Sequence, residues 1–155
     1  MATHLTCDLG KGPKPEGTPI TPYRVMSLDN AAWLTAQAND GEHYFLKGGY
    51  PGAYTHGYDG VFVGQLENFI RENDVAFGIS SSGNSQNVIN ALLFAKEKKA
   101  TTIAMVGFGG GKAAQIADHV IHIPTEKGAY GIVEGAHGAL HHILYEIACL
   151  ENHTR

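Results

Sequence analysis

From residue 75 onward, short apolar runs alternate with helical patterns, and this alternation restricts the fold more than any other feature of the chain. Val75–Ile79, Thr101–Val106 and His119–Pro124 have the length and composition of strands. Each leads through a turn into a helical pattern, over 84–98, 112–117 and about 132–152. In the first of these, Val88, Ile89, Leu92, Leu93 and Ala95 gather on one side. Short continuous apolar strands separated by helices specify a parallel sheet covered on both faces. The expected class is α/β, a three-layer doubly wound parallel sheet, in a single domain over residues 1–155. A chain of 155 residues can bury roughly 68–70% of its unfolded surface in one core.

Upstream the patterns are weaker. Met1 to Leu9 fits one or two helical turns, stopped by Gly10-Lys11-Gly12-Pro13. Residues 10–22 read as loop, Tyr23 to Leu28 as a short strand, and Asp29 or Asn30 as the cap of a helix reaching Ala38. Residues 41–58, rich in glycine and tyrosine, form an insertion longer than an ordinary connection, which favours function or mobility. A helix is expected over Val61–Arg71. The net charge of −4 and the lack of a basic stripe argue against nucleic acid or an anionic membrane as main partner. No apolar run is long enough to span a bilayer, and no signal-peptide pattern opens the chain. Cys7 and Cys149 stand far apart in no metal spacing. A cytoplasmic protein with two free thiols is the expectation.

The chemistry begins where the first regular strand stops. Val75 to Ile79 ends in Ser80, Ser81, Ser82, Gly83 and Ser85, and a helix opens near Asn84. A helix N-terminus offers unpaired N–H groups and the positive end of the macrodipole. The serine hydroxyls add donors there, and Gly83 permits close backbone approach. A phosphate cradle is the functional reading; an ordinary polar loop with a serine cap is the plain one. Ligands in parallel sheets sit at the carboxyl ends of strands, which favours the cradle. Gly107-Phe108-Gly109-Gly110-Gly111-Lys112 is neither fingerprint it suggests. The third glycine of G-x-G-x-x-G falls on Lys112, and a P-loop needs glycine at Val106 and Ser or Thr at Ala113. A flexible strand-to-helix turn is expected instead.

Two groups of titratable side chains complete the candidates. His4 and Asp8 share a helix face. Glu134, His137, His141 and His142 form a second cluster on the last helix, with Glu134 and His141 aligned to within about 20°. Imidazoles with carboxylates suit zinc or a similar divalent ion. Glu134 and His142, however, stand about 12 Å apart along the axis, so sharing an ion requires stretched side chains or different subunits.

These residues together resemble the sugar isomerase (SIS) domain and, within it, the phosphoheptose isomerase family. Gly78-Ile79-Ser80-Ser81-Ser82-Gly83-Asn84-Ser85 is similar to the family's G-I-S-T-S-G-N-S. His4-Leu5-Thr6-Cys7-Asp8-Leu9, Ala38-Asn39-Asp40 and Val133-Glu134 through His137 to His142 also match. The resemblance implies that Ser80, Ser81, Ser82 and Ser85 hold a sugar phosphate, with Asn39, Asp40 and Glu134 also touching substrate. It implies a Zn2+ or other divalent metal site at His4, Asp8, Glu134 and His142, with Asp8 as catalytic base and His142 as acid. The implied reaction is isomerisation of sedoheptulose 7-phosphate to a heptose 7-phosphate aldose, in a homotetramer with interfacial active sites. A non-catalytic phosphosugar-binding scaffold is the alternative. Family members carry an N-terminal helical region and a first strand ending in a Gly-Asn-Gly-Gly-Ser loop before the helix matching residues 3–9. The sheet is therefore expected to have four strands instead of five, lacking the first. Asp8 stands where the family has glutamate, and Glu134 where it often has glutamine.

Overall fold

The computed structural model describes residues 1–11, 24–32, 34–35 and 57–153. Asn39, Asp40 and residues 41–56 of the insertion lie outside them. The chain divides into two compact units, Asn30–Val133 and Met1–Asp29 with Glu134–Arg155.

The first unit holds a parallel sheet of three strands in the order β1 (Val75–Ser80), β2 (Thr101–Phe108), β3 (His119–Pro124). Val75 pairs with Thr101 and Ile103 with His119. Before the sheet come a 3-10 turn, Gly57–Gly60, and α2, Val63–Phe69; α3, Gln86–Glu97, joins β1 to β2, and α4, Gly111–Ile116, joins β2 to β3. Central β2 is buried from Thr102 onward except at half-buried Ile103, whereas β3 alternates exposed and half-buried residues. That contrast is what an interior strand and an edge strand require.

Leu92 of α3, Ala104 and Val106 of β2 and Ala113 of α4 form the centre of the core, with Val88, Ala114, Ile116 and Ala117 packed around it. Gly78 lets α3 lie close on β1: a Cβ there would meet Val88 at 3.0 Å and Leu92 at 3.3 Å. The opposite pleat of β2 meets the start of α5 (Tyr130–His153), because a Cβ at Gly107 would stand 2.4 Å from Val133. At the other end of the sheet Asp118 clasps two strands. Its carboxylate accepts bonds from Thr102 N (2.9 Å) and Oγ1 (2.7 Å) and meets Lys96 Nζ at 2.8 Å. These partners hold the Asp118 carboxyl well below the usual carboxylate range, the Lys96 contact contributing most.

The second unit contains α1, Ala2–Lys11, and most of α5. The helix α1 continues through Gly10, where the sequence suggests a stop. The hydroxyls of Thr3 and Ser27 both donate to the Asp29 carboxylate, which ties α1 to residues 27–29 and lowers the Asp29 pKa. Residues 24–28 are not a strand, contrary to expectation; the chain bends at Leu28, and the Ser27 hydroxyl donates to the Asp29 carboxylate. Three strands therefore stand among the described residues, not four. Asn30 does cap a helical turn, accepting from Ala32 N at 3.0 Å. Cys7 and Cys149 are not joined in a disulfide.

Candidate active site

The serine loop is built by hydrogen bonds and glycine contacts within the first unit. Ser80 is 7% exposed, and its Oγ accepts from Gly83 N at 3.1 Å and pairs with Ser85 Oγ at 3.1 Å. Ser80 thus braces the turn from inside. Ser82 is half-buried and accepts from Asn84 N at 3.1 Å, which leaves its own hydroxyl hydrogen free to donate elsewhere. Ser85 is the residue before α3, yet makes no side-chain cap bond. Its hydroxyl is therefore not spent on the helix end.

The glycine run after β2 is a structural partner of this loop, not the flexible turn its composition suggests. Gly83 (φ +65), Gly110 (φ +81) and Gly111 (φ +59) all adopt left-handed backbone. A Cβ on Gly83 would stand 1.9 Å from the Gly110 carbonyl oxygen, and one on Gly111 2.5 Å from that of Ser82. Ala113 N donates to Gly83 O at 2.8 Å and Lys112 N to Asn84 Oδ1 at 3.0 Å. Two backbones pass so closely that only glycine fits. Phe108 also has positive φ, +47, an uncommon state for a bulky residue. Its ring packs edge-on against Tyr130 at 4.9 Å and its carbonyl meets His122 Nε2 at 2.9 Å.

In the second unit, α1 and α5 bring together four titratable side chains. Asp8 Oδ2 lies 3.6 Å from His4 Nε2, 3.6 Å from His141 Nε2 and 3.7 Å from His142 Nδ1. One ligand nitrogen from each of His4, His141 and His142 falls within 4.8 Å of the others. His141 and Asp8 are buried, while the His4 and His142 side chains are more than half exposed. Burial, then the neighbouring His142 and His4, hold the His141 imidazole below its ordinary value, with Asp8 opposing. The neutral His141 ring, with a free lone pair, is thereby favoured. The set fits a divalent ion: imidazole and carboxylate donors converge, and both His141 ring nitrogens are buried without a hydrogen-bond partner.

His4, Asp8 and His142 are thus brought together as the sequence suggests. Glu134 is exposed and is not among the clustered ligands; His141 is. His141 belonged to the histidine-rich cluster of the last helix, and its spacing from buried Val133 and His137 is the signal that it faces inward.

Residues 35–139 match the family model described as the SIS domain. The chain belongs to the SIS domain family. Among curated relatives of this SIS domain, the phosphoheptose isomerase of Sulfurimonas denitrificans is 41% identical over 129 residues, covering 83% of this chain and 57% of that protein. The phosphoheptose isomerase of Aquifex aeolicus is 34% identical over 146 residues, 94% of this chain and 66% of that one. The solved phosphoheptose isomerase of Neisseria gonorrhoeae superimposes with a TM-score of 0.74 at 28% identity, over 95% of this chain and 68% of that chain. That from Francisella tularensis, at 24% identity and TM-score 0.71, shares the fold. This SIS domain spans between about half and two-thirds of the length of the curated relatives it matches.

Proposed function

We propose that this SIS domain acts in aldose–ketose isomerisation of a sugar phosphate, with sedoheptulose 7-phosphate converted to D-glycero-D-manno-heptose 7-phosphate. The observation that carries the reading is the Asp8 carboxylate oxygen 3.7 Å from His142 Nδ1, a base and an acid side by side. The names of the relatives support the same chemistry.

In this reading Ser80, Ser81, Ser82 and Ser85 hold the phosphate, and Asn39, Asp40 and Glu134 contact the sugar. Asp8 removes the proton from C1 of the ketose while His142 protonates the C2 carbonyl oxygen, giving an enediol. Asp8 then returns the proton to C2, and His142 takes back the hydroxyl proton at C1, leaving the aldehyde. His4, Asp8 and His142 are ligands for Zn2+ or another divalent ion, with Glu134 the fourth member implied by resemblance. When bound, such an ion polarises a carbonyl. The proposed assembly is a homotetramer in the cytoplasm with interfacial active sites. Exposed Ile143, Ile147 and Leu150, at helical spacing on α5, support self-association. No helix among the described residues is long and apolar enough to cross a membrane.

The test is incubation of the purified protein with sedoheptulose 7-phosphate and a panel of divalent ions, following the aldose. Wild type should turn over, and His142→Ala should lose turnover while still binding the phosphate ester. A preparation inactive with every ion refutes the reading.

A further inference from the structure

We infer that Asn84 is a positioning residue for phosphate binding, one that acts through Ser82. It aims the Ser82 hydroxyl at the ester by gripping Ser82 and the start of α4 at once. The inference rests on the serine loop being the phosphate cradle of the proposed function, and it adds a residue that itself touches no substrate.

Three hydrogen bonds carry it. Asn84 N donates to Ser82 Oγ at 3.1 Å, and Asn84 Nδ2 donates to Ser82 O at 3.1 Å. Asn84 Oδ1 accepts from Lys112 N at 3.0 Å, across 28 residues of chain. The first bond occupies a lone pair of Ser82 Oγ, so the hydroxyl hydrogen turns away from Asn84. The second holds the peptide group from which that hydroxyl is carried. The third anchors the grip to the neighbouring helix. A carboxamide suits the place because it offers an N–H donor and a carbonyl acceptor on separate atoms, whereas an ionised carboxylate only accepts.

The helix ends show why the loop needs it. The first N–H groups of a helix have no partner within it, and a serine beside them is an ordinary cap. Ser85 precedes α3 yet makes no side-chain cap bond, and Gly110 precedes α4 with no side chain to make one. Lys112 N is one of the orphaned groups of α4, and Asn84 meets it from the other loop. Capping thus falls to an amide, and the hydroxyls of Ser82 and Ser85 are not spent on helix ends. The backbone crossing supports the same grip. A Cβ at Gly111 would stand 2.5 Å from Ser82 O, the very carbonyl that Asn84 Nδ2 holds.

The experiment measures affinity for sedoheptulose 7-phosphate by calorimetric titration of the whole chain in four forms: wild type, Asn84→Ala, Ser82→Ala and the double variant. Asn84→Ala should bind about 10-fold more weakly, the lower end of the loss when an orienting partner behind a ligand is removed. In the Ser82→Ala background the same substitution should change affinity by less than about 2-fold, because the group it orients is gone. A merely structural Asn84 would cost the same factor in both backgrounds. Ligand-free wild type supplies a measurement that needs no variant. Lys112 N has no acceptor within α4, so its amide should exchange slowly with solvent only by virtue of Asn84 Oδ1. Unchanged affinity in Asn84→Ala, an equal loss in both backgrounds, or a Lys112 amide that exchanges freely overturns the role of Asn84 and leaves the phosphate site standing. A wild type that does not bind the ester refutes the phosphate site itself, and this role with it.

Discussion

Replacing Gly83 by alanine tests whether the serine loop is as rigidly built as its contacts imply. Two costs add. Left-handed backbone at φ +65 costs an alanine roughly 1–2 kcal/mol. The new methyl would lie 1.9 Å from the Gly110 oxygen, where real Cβ contacts essentially never fall below 3.0 Å. The obstacle is backbone, so no rotamer change relieves it; one strand of the crossing must retreat by about an ångström. Retreat stretches Ala113 N to Gly83 O (2.8 Å) and Lys112 N to Asn84 Oδ1 (3.0 Å). At about 0.5–1.5 kcal/mol per bond, losing both adds about 1–3 kcal/mol. The total, about 2–5 kcal/mol, is a large share of the roughly 5–15 kcal/mol that holds a domain together. In a chain of this size each kcal/mol lowers Tm by about 2–4 °C, so a fall of at least about 4 °C is expected by calorimetry or circular dichroism. Gly109→Ala is the matched control, since Gly109 has no positive φ and a Cβ there meets nothing within 4 Å. Its stability should stay within about 0.5 kcal/mol of wild type. Equal melting temperatures for the two variants would refute the interlock.

Three other outcomes are expected. Gly107→Ala, whose methyl would press on Val133 at 2.4 Å, should destabilise strongly, and adding Val133→Ala should recover about 0.5–3 kcal/mol as a non-additive term in urea melts; strict additivity excludes that contact. Ser82→Ala should weaken phosphosugar binding by about 1.5–3 kcal/mol, the worth of a hydrogen bond to a charged group, while thermal melting stays near wild type; unchanged affinity by calorimetric titration removes Ser82 from the phosphate site. Because His141 titrates below its ordinary value of 6.5, the unfolded chain takes up that proton first. Its contribution to stability is complete above about pH 6.5 and is lost as pH falls through the folded value, so urea midpoints of the metal-free protein should fall with acid more steeply in wild type than in His141→Gln.

The fold was legible because the strands of a covered parallel sheet announce themselves. Val75–Ser80 and Thr101–Phe108 are apolar and bounded by glycine and serine, and the pairing Val75↔Thr101 needs no unusual register. Tyr23 to Leu28 failed the same reading because an apolar alternation makes a strand only beside a partner. Over the described residues 24–28, the Thr3 and Ser27 bonds to Asp29 claim that neighbourhood instead. Glycine was the ambiguous letter. Gly107–Gly111 reads as freedom in one dimension and proves to be close approach in three, since only the partner backbone at Ser82 and Gly83 distinguishes the two.

His141 shows where a sequence ceases to be informative and why. Helical spacing places His141 within 20° of Glu134 and 100° from His142, but it cannot say which side of α5 is covered. That depends on α1, whose Asp8 is distant in sequence and adjacent in space. Once α1 is in place, Val133, His137 and His141 fall on one buried line, four residues apart. A hydrophobic residue at 137 or 141 would satisfy that line without leaving polar atoms unmade, each of which costs about 1–3 kcal/mol. Imidazoles stand there instead, both with nitrogens lacking a hydrogen-bond partner. The serine loop makes the opposite choice: its positive-φ glycines and the Ser80 Oγ bonds to Gly83 N and Ser85 Oγ fix its shape before any ligand arrives. The histidine cluster keeps buried imidazole nitrogens without hydrogen-bond partners, and the lowered His141 pKa ties its stability to pH in a way that the loop's is not.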